Sequence, residues 1–92
     1  MVIVIGLLEI NIGEKLQSIG DSAFNNCKVM SEFRIPKSIQ YIGNNVFTNC
    51  KGLTAIDFTG TIIEWNSIAK GLYWNNGSSI TTIHCSDGDI TL

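Results

Sequence analysis

At 92 residues the chain is long enough for one domain and buries only a modest core. Hydrophobic residues at 45% and charged residues at 15% exclude a disordered chain. A formal net charge of -2 gives no electrostatic reason to expect nucleic acid or an anionic membrane as partner, and no apolar run reaches the roughly 18 residues of a membrane span.

The chain opens on Val2-Ile3-Val4-Ile5, then Gly6-Leu7-Leu8. β-Branched residues in succession predict a strand over residues 1–6, apolar on both faces. With no basic leader and no small-residue cleavage site, the stretch does not read as a signal peptide. A two-faced apolar strand at an open sheet edge is a template for pairing. Val2, Ile3, Val4, Ile5, Leu7 and Leu8 are therefore the expected self-association residues, joining two copies into a homodimer through the N-terminal edge.

From residue 7 the chain says the same thing twice. Ser18–Lys28 reads SIGDSAFNNCK, and 23 residues later Tyr41–Lys51 reads YIGNNVFTNCK. The spacing apolar-x-x-apolar-x-apolar occurs three times, as LLEINI, MSEFRI and LTAIDF. Each is expected to form a short strand whose inward row needs a neighbouring repeat to cover it. The register puts Met1 level with Phe24, so the chain is expected to begin inside a repeat. In the second strand Phe33 and Ile35 face inward and Glu32 and Arg34 outward. Pro36 suits the strand's end, since it has no N–H for a further ladder bond. Ser38–Ile42 reads as a second short strand, and Gly20 and Gly43 as sharp turns. Asp21 and Asn44 read as caps on one helical turn carrying Ala23-Phe24 or Val46-Phe47. Asn26 and Asn49 suit left-handed backbone or bonds to turn amides.

Cys27 and Cys50 occupy equivalent places on adjacent repeats, with Cα atoms expected about 4.7–4.9 Å apart. That lies within disulfide reach. Side chains stacked in register point the same way, however, so buried thiols are expected. His84-Cys85 offers only an adjacent pair of ligands, short of a zinc set. No metal or cofactor is expected.

Past Gly60 the 23-residue pattern stops. Thr61-x-x-Glu64 is a capping-box pattern, and Ile62, Trp65 and Ile68 share one helical face before Gly71. A loop with Tyr73 and Trp74 follows. Ile80–Cys85 alternates as a strand, Asp87-Gly88 reads as a tight turn, and Ile90–Leu92 returns.

A period in the low twenties with an L-x-x-L-x-L core is the signature of leucine-rich repeats. The words IG..AF..C, L..I.I and IP.S resemble the BspA-like repeats of bacterial and some protozoan surface proteins. The phrase Ile35-Pro36-Lys37-Ser38-Ile39 before Tyr41-Ile42-Gly43 carries the match, with Gly13 in the place of Pro36 and Val46 in place of the usual alanine as mild departures. The resemblance implies an α/β solenoid: a right-handed coil of short parallel strands, one helical turn per repeat, and a C-terminal helix plus β-hairpin cap. Residues 1–92 would form a single domain, with a strand over 1–6, repeats over 7–60 and the cap over 61–92.

The resemblance also implies a surface or secreted protein that adheres to host or matrix proteins. The outward strip of the main sheet is then the expected partner-binding site, centred on Glu32, Arg34 and Asp57, with Arg34 and Asp57 read as a cross-strand pair. The alternatives are a structural cap or spacer for a longer array, and carbohydrate binding through Tyr73 and Trp74. Catalysis is not expected. The chain has one histidine, no Ser-His-Asp arrangement and no Gly-rich phosphate loop, and Asp87 and Asp89 lack the other oxygen ligands of a calcium loop.

Overall fold

Alternating polarity decides the strands. Glu32-Phe33-Arg34-Ile35 and Ala55-Ile56-Asp57-Phe58 bury every second side chain, and both are strands in the computed structural model, which describes residues 9–11 and 15–92. The strand expected over residues 1–6, and with it Val2, Ile3, Val4, Ile5, Leu7 and Leu8, lies outside the described residues. In chain order the elements are β1 (Glu9–Asn11), β2 (Ser18–Ile19), β3 (Glu32–Ile35), β4 (Tyr41–Ile42), β5 (Ala55–Phe58), α1 (Ile62–Asn66), β6 (Ala69–Lys70), β7 (Thr82–Cys85) and β8 (Gly88–Thr91).

The chain alternates between two sheets. One has the order β1-β3-β5-β7-β8 and the other β2-β4-β6. Every pairing is parallel except the closing β7–β8 hairpin. Glu9, Glu32, Ala55 and Thr82 stand in one register row across the larger sheet. The core lies between the sheets and a third, turn-rich side. Phe24 and Phe47 stack with ring centroids 5.8 Å apart, and Phe33 meets both edge-on at 4.6 and 5.1 Å. Trp74 and Trp65 continue the aromatic column to Phe58. No buried side-chain polar atom among the described residues lacks a hydrogen bond.

The third side departs from expectation. Residues 21–26 and 44–49 form successive turns, with no helix. The N–H groups of Ala23, Asn25 and Cys27 donate to carbonyls three residues back, while those of Ser22, Phe24 and Asn26 donate across to the carbonyls of Asn44, Val46 and Thr48. A helix would send every amide four residues back along its own chain. Here alternate amides serve the next repeat, and positive φ at Ser22 (59°), Asn26 (64°), Asn45 (55°) and Asn49 (62°) makes that alternation possible. Both cysteine-preceding asparagines thus hold the left-handed backbone expected of them.

Asp21 and Asn44 are brackets between repeats, where helix caps were expected. Asp21 Oδ1 accepts the Asn44 N–H at 2.8 Å, and Asn44 Oδ1 accepts the Leu72 N–H at 2.8 Å. This explains the glycines. A Cβ on Gly43 would lie 2.5 Å from Asp21 Oδ1, and one on Gly71 2.2 Å from Asn44 Oδ1. Close approach of the neighbouring bracket, and no unusual φ, requires glycine there.

Past Gly60 the 23-residue spacing ends but the hydrogen-bonded ladder does not. Ala69-Lys70 pairs with Tyr41-Ile42, and Thr82–His84 pairs with Ala55–Asp57. Tyr73, with φ 58°, repeats the backbone of Asn45 and Ser22. The additional residues of this third repeat are taken up by α1, which ends at the Ser67 C-cap rather than at Gly71. Its capping box is formed as expected: the Glu64 N–H donates to Thr61 Oγ1 and the Thr61 N–H to Glu64 Oε1. The hairpin turn is Ser86-Asp87, one residue earlier than expected, because Cys85 pairs with Gly88.

The thiols are free, with Cys27 and Cys50 buried. The Cys50 thiol donates to the Phe24 carbonyl at 3.1 Å, and burial pushes its pKa up to about 11.

Candidate protein-interaction face

Strand pleat sends every second side chain of the larger sheet away from the core. Glu32 and Arg34 leave β3 on that outer side, and Asp57 leaves β5 beside Arg34 in register. All three expected partner-binding residues are exposed and share one face. Register does not make Arg34 and Asp57 an ion pair: no such contact forms between them among the described residues. Two long exposed side chains gain little from fixing one geometry in water.

The face is wider than the three residues. On β7, Ile83 is fully buried, so Thr82 and His84 point outward, and His84 stands beside Asp57 in the same row. On β8, Asp89 faces His84 across the antiparallel pair, with His84 Nδ1 2.9 Å from Asp89 Oδ1. The row across four strands is Arg34, Asp57, His84, Asp89. The hydrogen bond to Asp89 pushes the His84 pKa up, slight desolvation opposes it, and the charges of Asp89 and Asp57 add to the rise. Reading Ile80–Cys85 as part of a hairpin hid this extension. The alternation Thr82-Ile83-His84 was the signal that could have shown it.

A depression lies on the face. It holds about 370 Å³ and is lined by Ser31, Glu32, Phe33, Thr54, Ala55, Asp57 and His84. Ala55 stands between Glu32 and Thr82 in its row, and its short side chain leaves the space open.

Tyr73 and Trp74 are arranged differently. Trp74 packs edge-on against Phe47 and Trp65, at 6.2 and 5.8 Å, while Tyr73 is 64% exposed. Trp74 is partly buried against the core, so the two neighbouring aromatic rings do not share one exposure. Among the described residues no group of three or more His, Cys, Asp or Glu side chains is placed to hold a metal ion, and no helix is long and apolar enough to cross a membrane.

No curated protein and no solved structure matches the chain. The family model for the BspA type leucine rich repeat region (6 copies) matches residues 4–91. Repeats of this kind serve protein–protein interaction and are generally non-enzymatic. With that match running over nearly its whole length, and with parallel strands recurring on two sheets, the chain belongs to the BspA-type leucine-rich repeat family.

Proposed function

We propose that the chain is a non-catalytic, adhesive interaction module of a surface or secreted protein, engaging a protein partner through the outer face of the five-stranded sheet. The observation that carries this reading is the row Arg34, Asp57, His84, Asp89 beside a shallow depression, on the outer face of the larger sheet. Curved repeat arrays commonly bind through such a strip. In this reading the two sheets and the turn side form a solenoid, and residues 61–92 are its C-terminal cap. Host or matrix proteins are the partners the family suggests.

The test is a binding screen of the immobilised chain against extracellular matrix and cell-surface proteins, repeated with Arg34→Glu. A partner that binds the native chain and loses binding on charge reversal supports the reading. Partners that bind both forms equally place contact elsewhere and defeat it.

Self-association through the N-terminal edge belongs to the same proposal. Among the described strands, β1 is the edge of the larger sheet, paired only with β3, and the sequence before it is apolar. Light scattering at micromolar concentration tests this directly. A monomeric mass, or a dimer that persists in the Ile3→Lys, Ile5→Lys double variant, sinks the idea.

A further inference from the structure

The carboxylate side chains of residues 15–92 divide into two sets. Asp21 accepts the Asn44 N–H, Glu64 the Thr61 N–H, Asp87 the Ile62 N–H at 2.9 Å, and Asp89 pairs with His84. Glu32 and Asp57 are the two that accept no hydrogen bond and form no ion pair among the described residues. They are also the two that line the depression over Ala55. Of these six, the four with a structural task have their partners within the fold, and the two without one line a single open space.

We propose that this depression receives a cationic side chain, an arginine or lysine, presented by a protein partner. The proposal rests on the sheet face being a contact surface and adds the chemistry of what it contacts. Ala55 provides the short floor, and Glu32 and Asp57 supply negative charge from two adjacent strands. Thr54, Ser31 and His84 line the same space, with the His84 ring held by Asp89. A guanidinium presents a planar fork of donors that two separated carboxylates can share, and an ammonium is met as a point charge. Arg34, in register with Asp57 yet unpaired with it, leaves Asp57 available. It also provides a positive neighbour that turns an acidic partner group away from the depression.

The test is an amide-resolved NMR titration of the full chain with two capped tripeptides, Gly-Arg-Gly and Gly-Glu-Gly, at matched ionic strength. The arginine peptide is expected to give saturable shifts at Glu32, Ala55 and Asp57, and the glutamate peptide none. Glu32→Gln with Asp57→Asn should weaken the arginine peptide about five-fold, the upper worth of an exposed charge pair, while Asp21→Asn, which removes a carboxylate on the turn side and keeps its acceptor oxygen, leaves it unchanged. Both substituted residues are exposed, so the spectrum itself reports that the fold is kept. Equal shifts with both peptides, or undiminished binding in the double variant, overturn the proposal. So do shifts at these amides with calcium chloride and none with the arginine peptide. A partner that remains sensitive to Arg34→Glu while the arginine peptide fails would remove this inference and leave the interaction face standing.

Discussion

The junction between the first and second repeats and the junction between the second and third share one backbone and differ in what fills it. At the first, Asp21 reaches Asn44, Phe24 stacks on Phe47, and Ser22, Phe24 and Asn26 donate across. At the second, Asn44 reaches Leu72, Phe47 meets Trp74 edge-on, and Asn45 and Phe47 donate to the carbonyls of Leu72 and Trp74. The additional residues of the third repeat are exported into α1, so the ladder passes them without a break. What the difference teaches is that the backbone ladder defines the repeat, while side-chain words are free to change once the ladder is satisfied.

The third repeat differs at the bracket and at the edge of the smaller sheet. Position 72 is leucine where Asp21 and Asn44 offer an acceptor, so the bracket has no successor. The Gln17 and Gln40 carbonyls accept N–H groups of the following repeat, at 2.7 and 3.1 Å. At the corresponding place the Ile68 carbonyl accepts from Lys70 Nζ at 3.1 Å, which also reaches the Trp65 carbonyl and lies 4.7 Å over the Trp65 ring. A lysine that folds back on an edge carbonyl blunts that edge against further pairing.

The largest expected effect falls where both junctions meet. Phe47 is fully buried and touches the rings of Phe24, Phe33 and Trp74. Phe47→Ala should cost about 3–5 kcal/mol, enough to unfold a small domain, as read by urea denaturation. A loss under about 1 kcal/mol would mean that the two junctions do not share one core.

Next come the glycines, where identical motifs should give opposite results. Gly43 and Gly71 sit against the brackets, and Ala at either place must displace backbone as well as a carboxyl or carboxamide. Each substitution should cost about 1–3 kcal/mol. A Cβ on Gly20 meets nothing within 4 Å. Gly20→Ala should therefore be neutral to about 0.5 kcal/mol, or slightly stabilising. Equal effects at Gly20 and Gly43 would refute the close-approach account.

Much of this was legible in the sequence, and the exceptions share a cause. Strand polarity, the buried thiols, the capping box and the outward placement of Glu32, Arg34 and Asp57 follow from local pattern, which a repeat displays more than once. The turn side was misread as helical because Asp21-x-Ala23-Phe24 has the composition of a capped helix. Alternate amides there are satisfied by residues 20 or more positions away, and no local window contains that information. Lys70 was missed, and Trp74 was read as part of a loop outside the repeats, for the same reason: with α1 inserted, the sequence spacing ceases to align positions that the backbone still aligns. His84 was legible in principle, through the alternation around Ile83.

A smaller effect tests the bracket by itself. Asp21→Ala leaves the Asn44 N–H without its acceptor at a partly exposed site, and should cost about 1 kcal/mol, the net worth of one such bond. Asp21→Asn keeps an acceptor oxygen, as Asn44 does naturally, and should restore most of the loss. If Asp21→Asn were as damaging as Asp21→Ala, charge rather than the bracket would explain the aspartate.

The smallest effect concerns how the larger sheet closes. There β8 ends the ladder with an antiparallel pair, and His84–Asp89 is its cross-strand contact on the outer face. The histidine's proton is held more tightly in the folded chain than at its ordinary pKa of 6.5, chiefly by the hydrogen bond to Asp89 and then by the nearby charges. A pKa raised by folding contributes stability that is fully present below the unfolded value and is lost as pH rises through the folded value. The chain should therefore have a slightly higher urea midpoint at pH 6 than at pH 8. His84 is 48% exposed on its side chain, so solvent screening keeps the gain small. This is the sole histidine, so its ring-proton NMR titration reports the raised pKa directly. Asp89→Asn should bring that pKa back toward 6.5 and flatten the stability difference, with Asp57→Asn doing so to a lesser degree. An unshifted histidine, or a stability difference that survives Asp89→Asn in full, would leave the β8 closure to its backbone pairing alone.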